Sequence, residues 1–570
     1  MPIRGRLPKI LNAILQEKMR YRLAWGLLIV VGGIAFYYAW TNYDIARELF
    51  PGARRPGGNA GHTLIDFGGQ WLIGAMAAHG NGQRLYHRAA QQEILQKAYP
   101  KEDEVSPEDW KADGPYEHEA DRLMGWFVAV ENPRAAKATA AFVAPFASQN
   151  ILGFLSISKD LLAQHQQLRE DAAIPEIGGP LYPPVHALLM YPLGSLSPAR
   201  AYRTAQLAGM AMALLSGWGI CRLSHGRIWW PIATVGVILY PGFISCLILG
   251  QNSIFMLTLL ICGWVLVTAD RPFWGGLLWG VLAFKPVWLA AFFLVPLLMQ
   301  RWRFCLGMIA ASAALALASL PMVGWHSWVE WFQVGREASK LYGMDQNWIL
   351  LSRDLLNIPR RWLFDFQNSP SPATVLAADL IGFSMLLAAF ECTVRFALLR
   401  KAHAIAATGP AAAFVLLGAW FCCFHFMYYD MLLTALPVFL LLLEPRRYVE
   451  PKLLLLQDSP GQGLQVDVPE YCRPRWATVY PAQLSQGKEK PVRVFVLNSV
   501  TLSLISLFVL SESVLTGISI SISVSAARLN SDWIPLPVKF TTNVAGTPWG
   551  VFSLFALWLW CGWLSVRQKA

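Results

Sequence analysis

The stretch that decides the fold is GQNSIFMLTLLICGWVLVTADRPFWGGLLWGVLAFKPVWLAAFFLVPLLMQRWRF, residues 250–304. It consists of three apolar runs, with charged residues only between the runs and at the end. Asp270 and Arg271 separate the first two runs, and Lys285 followed by Pro286 separates the second from the third. Apolar runs bounded by charges are typical of helices that cross a lipid bilayer. The stretch therefore predicts part of a membrane-embedded helical bundle.

The composition of the whole chain gives the same indication. Of its 570 residues, 55% are hydrophobic and 15% are charged, whereas soluble domains carry roughly a quarter charged residues. The 25 Trp residues suit a protein that anchors at two membrane–water interfaces. Basic residues beside helix ends account for the net charge of +11, so no nucleic-acid partner is expected. The nine Cys include no CxxC pair, which predicts neither a zinc site nor a disulfide framework.

The apolar segments predict an all-α polytopic membrane protein with about twelve transmembrane helices and external juxtamembrane helices. Several segments are shorter than the roughly 20 residues of an untilted span, and the charges between them are the reason for counting them. The segments are 24–41, 199–221, 230–249, 253–268, 273–285, 287–300, 304–323, 373–398, 410–428, 431–444, 496–521 and 548–565. They group as helix 1 (24–41), helices 2–7 (199–323), helices 8–10 (373–444) and helices 11–12 with the tail (496–570).

The basic residues between these segments predict the topology. If the basic N-terminus, residues 1–23, is cytoplasmic and the helices alternate, every short basic connection falls on the cytoplasmic face, as the positive-inside rule requires. Those connections are 222–227, 270–271, 301–303 and 400–401, together with the loop 445–495 and the tail from 567 to 569. Both termini are then cytoplasmic.

Two long regions, 42–198 and 324–372, are predicted on the external face. The first contains a polar insertion at about 88–178, whose role the sequence leaves open. Residues 182–198 are apolar but rich in proline, which favours a helix on or in the outer interface over a full span. Residues 140–156 can be a further span, although their Pro, Ser, Gln and Asn favour a packed or membrane-skimming segment.

Polar residues that the composition does not require gather on this external face. Polar groups at membrane depth are costly and tend to mark function. Together they offer a carboxylate, cationic side chains, amides and phenols, which suit an anionic lipid headgroup beside a base. The residues are Asp66, Tyr182, Gln251, Asn252, Lys285, Gln346, Asn347, His425, Tyr428, Tyr429 and Asp430.

Each of these residues also has a purely structural interpretation. Lys285 can extend its ammonium group to the interface, and Asp66 can be an ordinary loop charge. Tyr428 and Tyr429 can belong to an aromatic belt. Asp430 can cap a helix N-terminus, the amides can do the same, and the histidine can bond a neighbouring carbonyl. The argument for a site is the convergence of all of them at one face.

The chemistry that such a site can perform is sugar transfer from a lipid phosphate. We expect Lys285, His425, Gln251, Asn252 and Tyr428 to bind the phosphate of the donor, because cations and amide donors suit it. A single carboxylate near the acceptor hydroxyl suffices as general base. No metal or other cofactor is expected, since cationic side chains can balance the phosphate charge. The external loops contain no DxD, and the chain has no P-loop or GxSxG.

Residues 250–304 resemble the central signature of glycosyltransferase family 87. That signature has a Gly-Gln-x-Asn-like turn, a span, an Arg, Gly-Leu repeats, a Lys-Pro pair and a basic end. The resemblance covers roughly 60–90 and 180–440. Further similar segments are Asp66 with Gly82 and Tyr86 (an Asp-initiated helix and its Gly…Tyr), Tyr182-Pro183-Pro184 with Pro192 (a Tyr-Pro-Pro segment), and His425 with Tyr428 (a late His/Tyr turn).

The resemblance implies a GT-C type bundle with its active site facing away from the cytoplasm. The family includes mycobacterial polyprenyl-phosphomannose-dependent mannosyltransferases of phosphatidylinositol mannoside synthesis. It implies that Asp66 is the catalytic base and that the anomeric centre is inverted. The expected reaction moves a hexose, mannose above others, from a polyprenyl-phosphate donor to a lipid or glycan acceptor outside a bacterial plasma membrane. Residues in supporting or acceptor-binding positions would be Tyr86, Tyr182, Asn347, Tyr429 and Asp430.

Two other classes of membrane protein compete with this interpretation. A transporter or flippase would have inverted repeats and interrupted helices at the midplane, and no internal repeat is visible in the sequence. A lipid-linked glycan ligase or polymerase would place arginines in its outer loops against a diphosphate donor. Arg336 and Arg353 are compatible with that alternative.

Overall fold

The computed structural model describes residues 17–49, 67–98, 177–343, 349, 351–364, 370–401, 405–443, 499–510 and 548–567. Several predicted features lie outside these residues, namely Asp66, Gln346, Asn347, most of the 88–178 insertion with its segment 140–156, and the loop 445–495. Within the described part of the chain the secondary structure is helical, apart from turns and two isolated β-bridges.

The described residues form seventeen α-helices, numbered in chain order. Proline opens α4, α5, α9, α10, α13 and α14, where its missing N–H costs no helical hydrogen bond. The helices are α1 Glu17–Leu49, α2 Phe67–Ala78, α3 Arg88–Ala98, α4 Pro184–Gly194, α5 Pro198–Leu223, α6 Trp230–Ile238, α7 Phe243–Leu249, α8 Ser253–Thr268, α9 Pro272–Gly280, α10 Pro286–Leu298, α11 Trp302–Tyr342, α12 Asn357–Leu363, α13 Pro372–Leu399, α14 Pro410–Phe421, α15 Ala435–Leu441, α16 Ser499–Leu510 and α17 Trp549–Arg567. Short 3₁₀ segments are Gly82–Arg84, Val281–Phe284 and Tyr428–Thr434.

Five of the described helices are long and apolar enough to cross a membrane: α1, α5, α11, α13 and α17. Helices α6 and α7 form a pair bent by 68° that makes a sixth span if the two are counted as one. The other predicted segments contain apolar helices of 10–17 residues. The protein is thus an all-helical membrane protein throughout its described part, while the predicted count of about twelve spans is not confirmed. Several of the shorter helices end at turns such as Gly250 and Lys285-Pro286. The apolar pattern alone does not show that a helix ends there.

Two helices extend beyond their predicted apolar segments. α1 begins at Glu17 and ends at Leu49, because a helix can continue with polar residues outside an apolar run. α11 continues through the predicted boundary at 323 as far as Tyr342. Gly324 changes its direction there, with a φ of 71° that favours glycine. Apolarity therefore located the membrane-compatible segments, whereas helix ends depend on local turn residues.

A second hydrophobic cluster packs beside the main core of the bundle. It is built from α2, α3, α4, the start of α5 and the second half of α11, with Trp71 and Tyr202 among its buried side chains. α2 and α4 are in backbone contact, because a Cβ atom at Gly74 or Gly194 would meet the backbone of the other helix. His87 pairs with Glu330 of α11 at 3.0 Å. This packing fixes the start of α2 against the bundle.

Candidate active site

The first turn of α2 meets the turn that precedes α8. Phe67, the first residue of α2, packs so closely on Gly250 that a Cβ atom there would collide with its ring. Gly250 also has a φ of 64°, so this position requires glycine. The Gln70 side chain donates a hydrogen bond of 3.0 Å to the Gly250 carbonyl. Asp66 itself is outside the described residues, but its chain neighbour is fixed at the predicted Gly-Gln-Asn turn.

The Gln251 and Asn252 pair follows directly. Gln251 is buried, and its carbonyl accepts a hydrogen bond from the Cys246 thiol at 2.8 Å. Asn252 precedes the first residue of α8, yet its side chain makes no capping hydrogen bond. The Nδ2 atom of Asn252 is buried and has no hydrogen-bond partner among the described residues. Helix capping is therefore not the role of this amide, which keeps a donor for another group.

Lys285 points into the bundle. It follows the 3₁₀ segment Val281–Phe284, and its Nζ atom lies 3.9 Å from the Asp430 Oδ1 atom. The same Nζ atom is 4.0 Å from the centroid of the Trp288 ring. The Lys285 side chain is 17% exposed, and that of Asp430 is 1% exposed. A lysine that snorkels extends to water, whereas this ammonium group is held between a buried carboxylate and an aromatic face.

Asp430 connects three elements of the site. Its Oδ1 atom accepts a hydrogen bond of 2.6 Å from the hydroxyl of Ser253, the first residue of α8. Its Oδ2 atom accepts from the backbone N–H of Met427 at 3.0 Å, which caps the 3₁₀ segment Tyr428–Thr434. Since Asp430 also pairs with Lys285, it holds α8, the 3₁₀ segment and the start of α10 together. Asp430 is therefore not the N-cap itself but the third residue of the segment, which reaches back to the N-cap Met427, and both of its oxygens are engaged.

His425 lies in the short segment between α14 and the 3₁₀ segment that contains Asp430. Its side chain is partly exposed, and its carbonyl accepts a hydrogen bond of 3.4 Å from the Trp288 indole. Burial lowers the pKa of the imidazole. The negative charges of Asp354 and Asp430 act in the opposite direction, while the positive charge of Lys285 lowers the pKa further. The charges of Asp354, Asp430 and Lys285 therefore all act on His425.

The two tyrosines of this turn pack against each other, with ring centroids 5.3 Å apart. Tyr429 is buried, and its ring centroid is 5.8 Å from the Lys285 Nζ atom. Tyr428 is half-buried and packs on the main core. Tyr429 thus lies inside the bundle beside the lysine and not on an exposed aromatic belt.

Tyr182 reaches the same region through a row of rings. Its ring stacks on His186 with centroids 4.3 Å apart, and His186 is 5.7 Å from the ring of Phe284, the residue before Lys285. The hydroxyl of Tyr86 donates a hydrogen bond of 2.5 Å to the Tyr182 carbonyl. Tyr86 is fully buried, so it contacts Tyr182 from within the second hydrophobic cluster.

His186 is a residue that the sequence analysis missed. It is 1% exposed, and both ring nitrogens are buried without a hydrogen-bond partner among the described residues. Burial, together with the charge of Lys285, lowers the pKa of His186 to about 3, so the imidazole is neutral at physiological pH. A neutral imidazole offers one donor and one acceptor, which suits a hydroxyl or a water molecule. Its sequence signal was an ionisable residue in an otherwise apolar helix.

The described site residues thus form one connected group. The contacts Phe67–Gly250, Ser253–Asp430 and Asp430–Lys285 link the start of α2 to the turns that carry the other residues. The residues that the group unites are Tyr182, Gln251, Asn252, Lys285, His425, Tyr428, Tyr429 and Asp430. Asp66, Gln346 and Asn347 are not described, so their places relative to the group stay predictions.

The described part of the chain is thus an all-helical membrane bundle with a group of cations, amides and phenols at its helix turns. Residues 181–417 match the sequence model of glycosyltransferase family 87. The predicted resemblance to that family is confirmed, and the protein is a glycosyltransferase that uses a sugar donor and an acceptor. The match covers less than half of the chain. It includes Tyr182, Gln251 and Lys285, while Asp66 and His425 lie outside it. No curated protein and no solved structure matches the chain.

Proposed function

We propose that the protein transfers a hexose, mannose above others, from a polyprenyl-phosphate donor to a hydroxyl of a lipid or glycan acceptor. The reaction inverts the anomeric centre and takes place at the external face of a bacterial plasma membrane, within a GT-C type bundle. The observation that carries the proposal is the cluster of Lys285 and Asp430, whose charges act on His425, and its connection through Ser253 and Gly250 to the start of α2. Asp66 is the residue that precedes this helix.

The donor phosphate would bind to Lys285 and His425, with Asn252 and Tyr428 nearby. An ammonium group has three N–H donors, and the contact of Lys285 with Asp430 is long at 3.9 Å. Asp430 already accepts hydrogen bonds from Ser253 and Met427 at both oxygens. The lysine therefore keeps donors for a second anion. The unpaired amide group of Asn252 can supply a further hydrogen bond.

Asp66 would act as the general base for the acceptor hydroxyl. The two carboxylates that act on His425, Asp354 and Asp430, are both buried, and their oxygens accept hydrogen bonds from protein groups. A general base has to reach the proton it removes. Neither buried carboxylate suits that role, which supports Asp66 as the base.

The alternatives receive less support from the structure. The bend of 68° between α6 and α7 is an interruption of the kind that a transporter has, but the family match favours sugar transfer. For a ligase of diphosphate-linked glycans, Arg353 would have to face the donor. Arg353 is buried and donates hydrogen bonds to the carbonyls of Leu351 and Ser352. Of the two candidate arginines, only Arg336 is exposed.

The activity is tested with purified protein in lipid nanodiscs. Incubation with polyprenyl-phosphomannose and a membrane lipid extract is expected to yield a mannosylated lipid or glycan, identified by mass spectrometry. A parallel reaction with a nucleotide-linked mannose is the control for donor class, and polyprenyl-phosphoglucose is the control for the sugar. Product from the nucleotide sugar, with none from any polyprenyl-phosphate sugar, would contradict the proposal.

The external orientation is tested by cysteine labelling in intact cells. Asn347→Cys is expected to react with a membrane-impermeant maleimide, because the topology places 324–372 outside. Gly461→Cys, in the loop 445–495, should react only after permeabilisation. The parent protein is the background control, since it has nine native Cys. Labelling of Gly461→Cys but not of Asn347→Cys in intact cells would reverse the topology.

A further inference from the structure

A second polar network lies against the segment that carries His425. Residues 351–364, between α11 and α13, form an isolated antiparallel bridge in which Ser352 faces Met427. The backbone N–H of Arg353 donates a hydrogen bond of 2.7 Å to the Phe426 carbonyl. The Ser352 hydroxyl lies 2.9 Å from the same carbonyl. The network therefore contacts the two residues that follow His425.

Asp354 is the centre of this network. Its Oδ1 atom accepts a hydrogen bond of 3.0 Å from the backbone N–H of Asn357, the first residue of α12. The Asn357 amide donates to both carboxylate oxygens at 3.0 and 2.9 Å, and the Ser352 hydroxyl also contacts Oδ2. Asp354 is only 3% exposed. Burying a carboxylate is costly unless hydrogen bonds satisfy it, and this one is satisfied by Asn357 and Ser352, which keeps Ser352 in its bridge with Met427.

The network is in turn attached to the helical bundle. Arg360 of α12 donates two hydrogen bonds to the Asp379 Oδ1 atom of α13, at 2.7 and 3.1 Å. The Arg361 guanidinium contacts the Ser352 carbonyl. The support behind the His425 segment is thus a chain of buried and half-buried polar contacts that ends on a long apolar helix. Such a support suits a segment whose position has to be kept.

Two anchors hold the residues that directly follow His425. Asp430 accepts a hydrogen bond from the Met427 N–H, and the Arg353 N–H beside Asp354 donates to the Phe426 carbonyl. We infer that Asp354 is a positioning residue, which fixes the segment that carries His425 for binding of the donor phosphate. The inference rests on the proposed role of His425 in donor binding. Nothing in the apolar pattern singled out Asp354, because one aspartate in a polar loop is unremarkable in sequence.

The charge of Asp354 also affects the pKa of His425. The charged groups that act on His425 are Asp354, Asp430 and Lys285. The negative charge of Asp354 raises the pKa of His425 against the lowering effect of burial. Replacing Asp354 with a neutral amide would therefore lower the pKa of His425 further. Donor binding that depends on imidazolium would then need a lower pH.

The test measures the affinity for polyprenyl-phosphomannose as a function of pH. This phosphodiester does not itself titrate near neutral pH, so a shift reports the protein. Asp354→Asn is expected to weaken binding roughly three- to tenfold, the range of one hydrogen bond. It should also move the pH profile to lower pH. Ser352→Ala keeps the Asp354 carboxylate but removes the contact of the Ser352 hydroxyl with the Phe426 carbonyl. It should therefore weaken donor binding without moving the pH profile. That variant also keeps the inference testable if Asp354→Asn does not fold.

Two comparison variants separate the outcomes. Asp270→Asn makes the same chemical change at an exposed residue outside this network, so its affinity and pH profile should equal those of the parent. If His425→Gln leaves affinity and pH profile unchanged, the proposed donor role of His425 fails. If His425→Gln alters both, while Asp354→Asn and Ser352→Ala behave like Asp270→Asn, the positioning role of Asp354 is overturned. In the double variant Asp354→Asn/His425→Gln, the change at Asp354 should not shift the pH profile relative to that of His425→Gln alone.

Discussion

Asp66→Asn is expected to lower the rate of sugar transfer by roughly 10²–10⁴, the range for removal of a general base. The amide keeps the size of the side chain but cannot accept the proton of the acceptor hydroxyl. Donor affinity should survive, because the neutral amide does not repel the donor phosphate. The measurement is single-turnover transfer from a bound polyprenyl-phosphate sugar, with donor affinity determined separately on the same preparation.

Asp270→Asn is the matched control for this change. Asp270 is exposed in the connection between α8 and α9 and has a φ of 59°, a conformation that asparagine also tolerates. That variant should transfer sugar at the rate of the parent. If Asp66→Asn folds, binds donor and turns over like Asp270→Asn, then Asp66 is only a loop charge. The base would then have to be sought elsewhere in the external regions.

Asp430 does not suit the role of general base if Asp66 is not the base. From the sequence alone, an aspartate at the His/Tyr turn competes with Asp66 for the role of base. In the structure its oxygens accept hydrogen bonds from Ser253 and Met427. A change of Asp430 to Asn would disturb the capping contact and the lysine pair together. Loss of activity in such a variant would therefore say little about proton transfer.

The sequence predicted the placement of the helices well, because apolar runs and the charges between them depend on local composition. Each predicted apolar segment contains a described helix. The number of spans could not be predicted in the same way, since a run such as 230–249 does not reveal that it bends by 68°. The sequence also did not predict that α11 extends beyond Gly324, because this extension depends on packing against the second hydrophobic cluster.

The candidate site was predictable as a set of residue types but not as a set of contacts. Lys285 and Asp430 were both singled out, yet the sequence did not pair them, because residues far apart in the chain carry no local signal of contact. His186 and Asp354 were missed for the same reason. Each became notable only when the structure placed it beside Tyr182 or behind the segment that carries His425.

Lys285→Met is expected to weaken donor binding by about 1.5–3 kcal/mol, the scale of a charge-assisted hydrogen bond. That range corresponds to roughly 10- to 150-fold in the dissociation constant. The methionine keeps the length of the side chain and its contact with the Trp288 ring but removes the charge. Equilibrium binding of polyprenyl-phosphomannose to protein in nanodiscs is the measurement. Lys285→Arg, which retains a cation, should lose less affinity.

The pairing with Asp430 requires a second variant before this result can be assigned to the phosphate. Lys285→Met leaves a buried carboxylate without its cation, which can cost several kcal/mol of stability. Lys285→Met/Asp430→Asn removes both charges and should be closer to the parent in thermal stability. If Lys285 binds the phosphate, the double variant still has low donor affinity, because the cation is absent in both. If donor affinity returns to the parent value in the double variant, Lys285 serves only as the partner of Asp430.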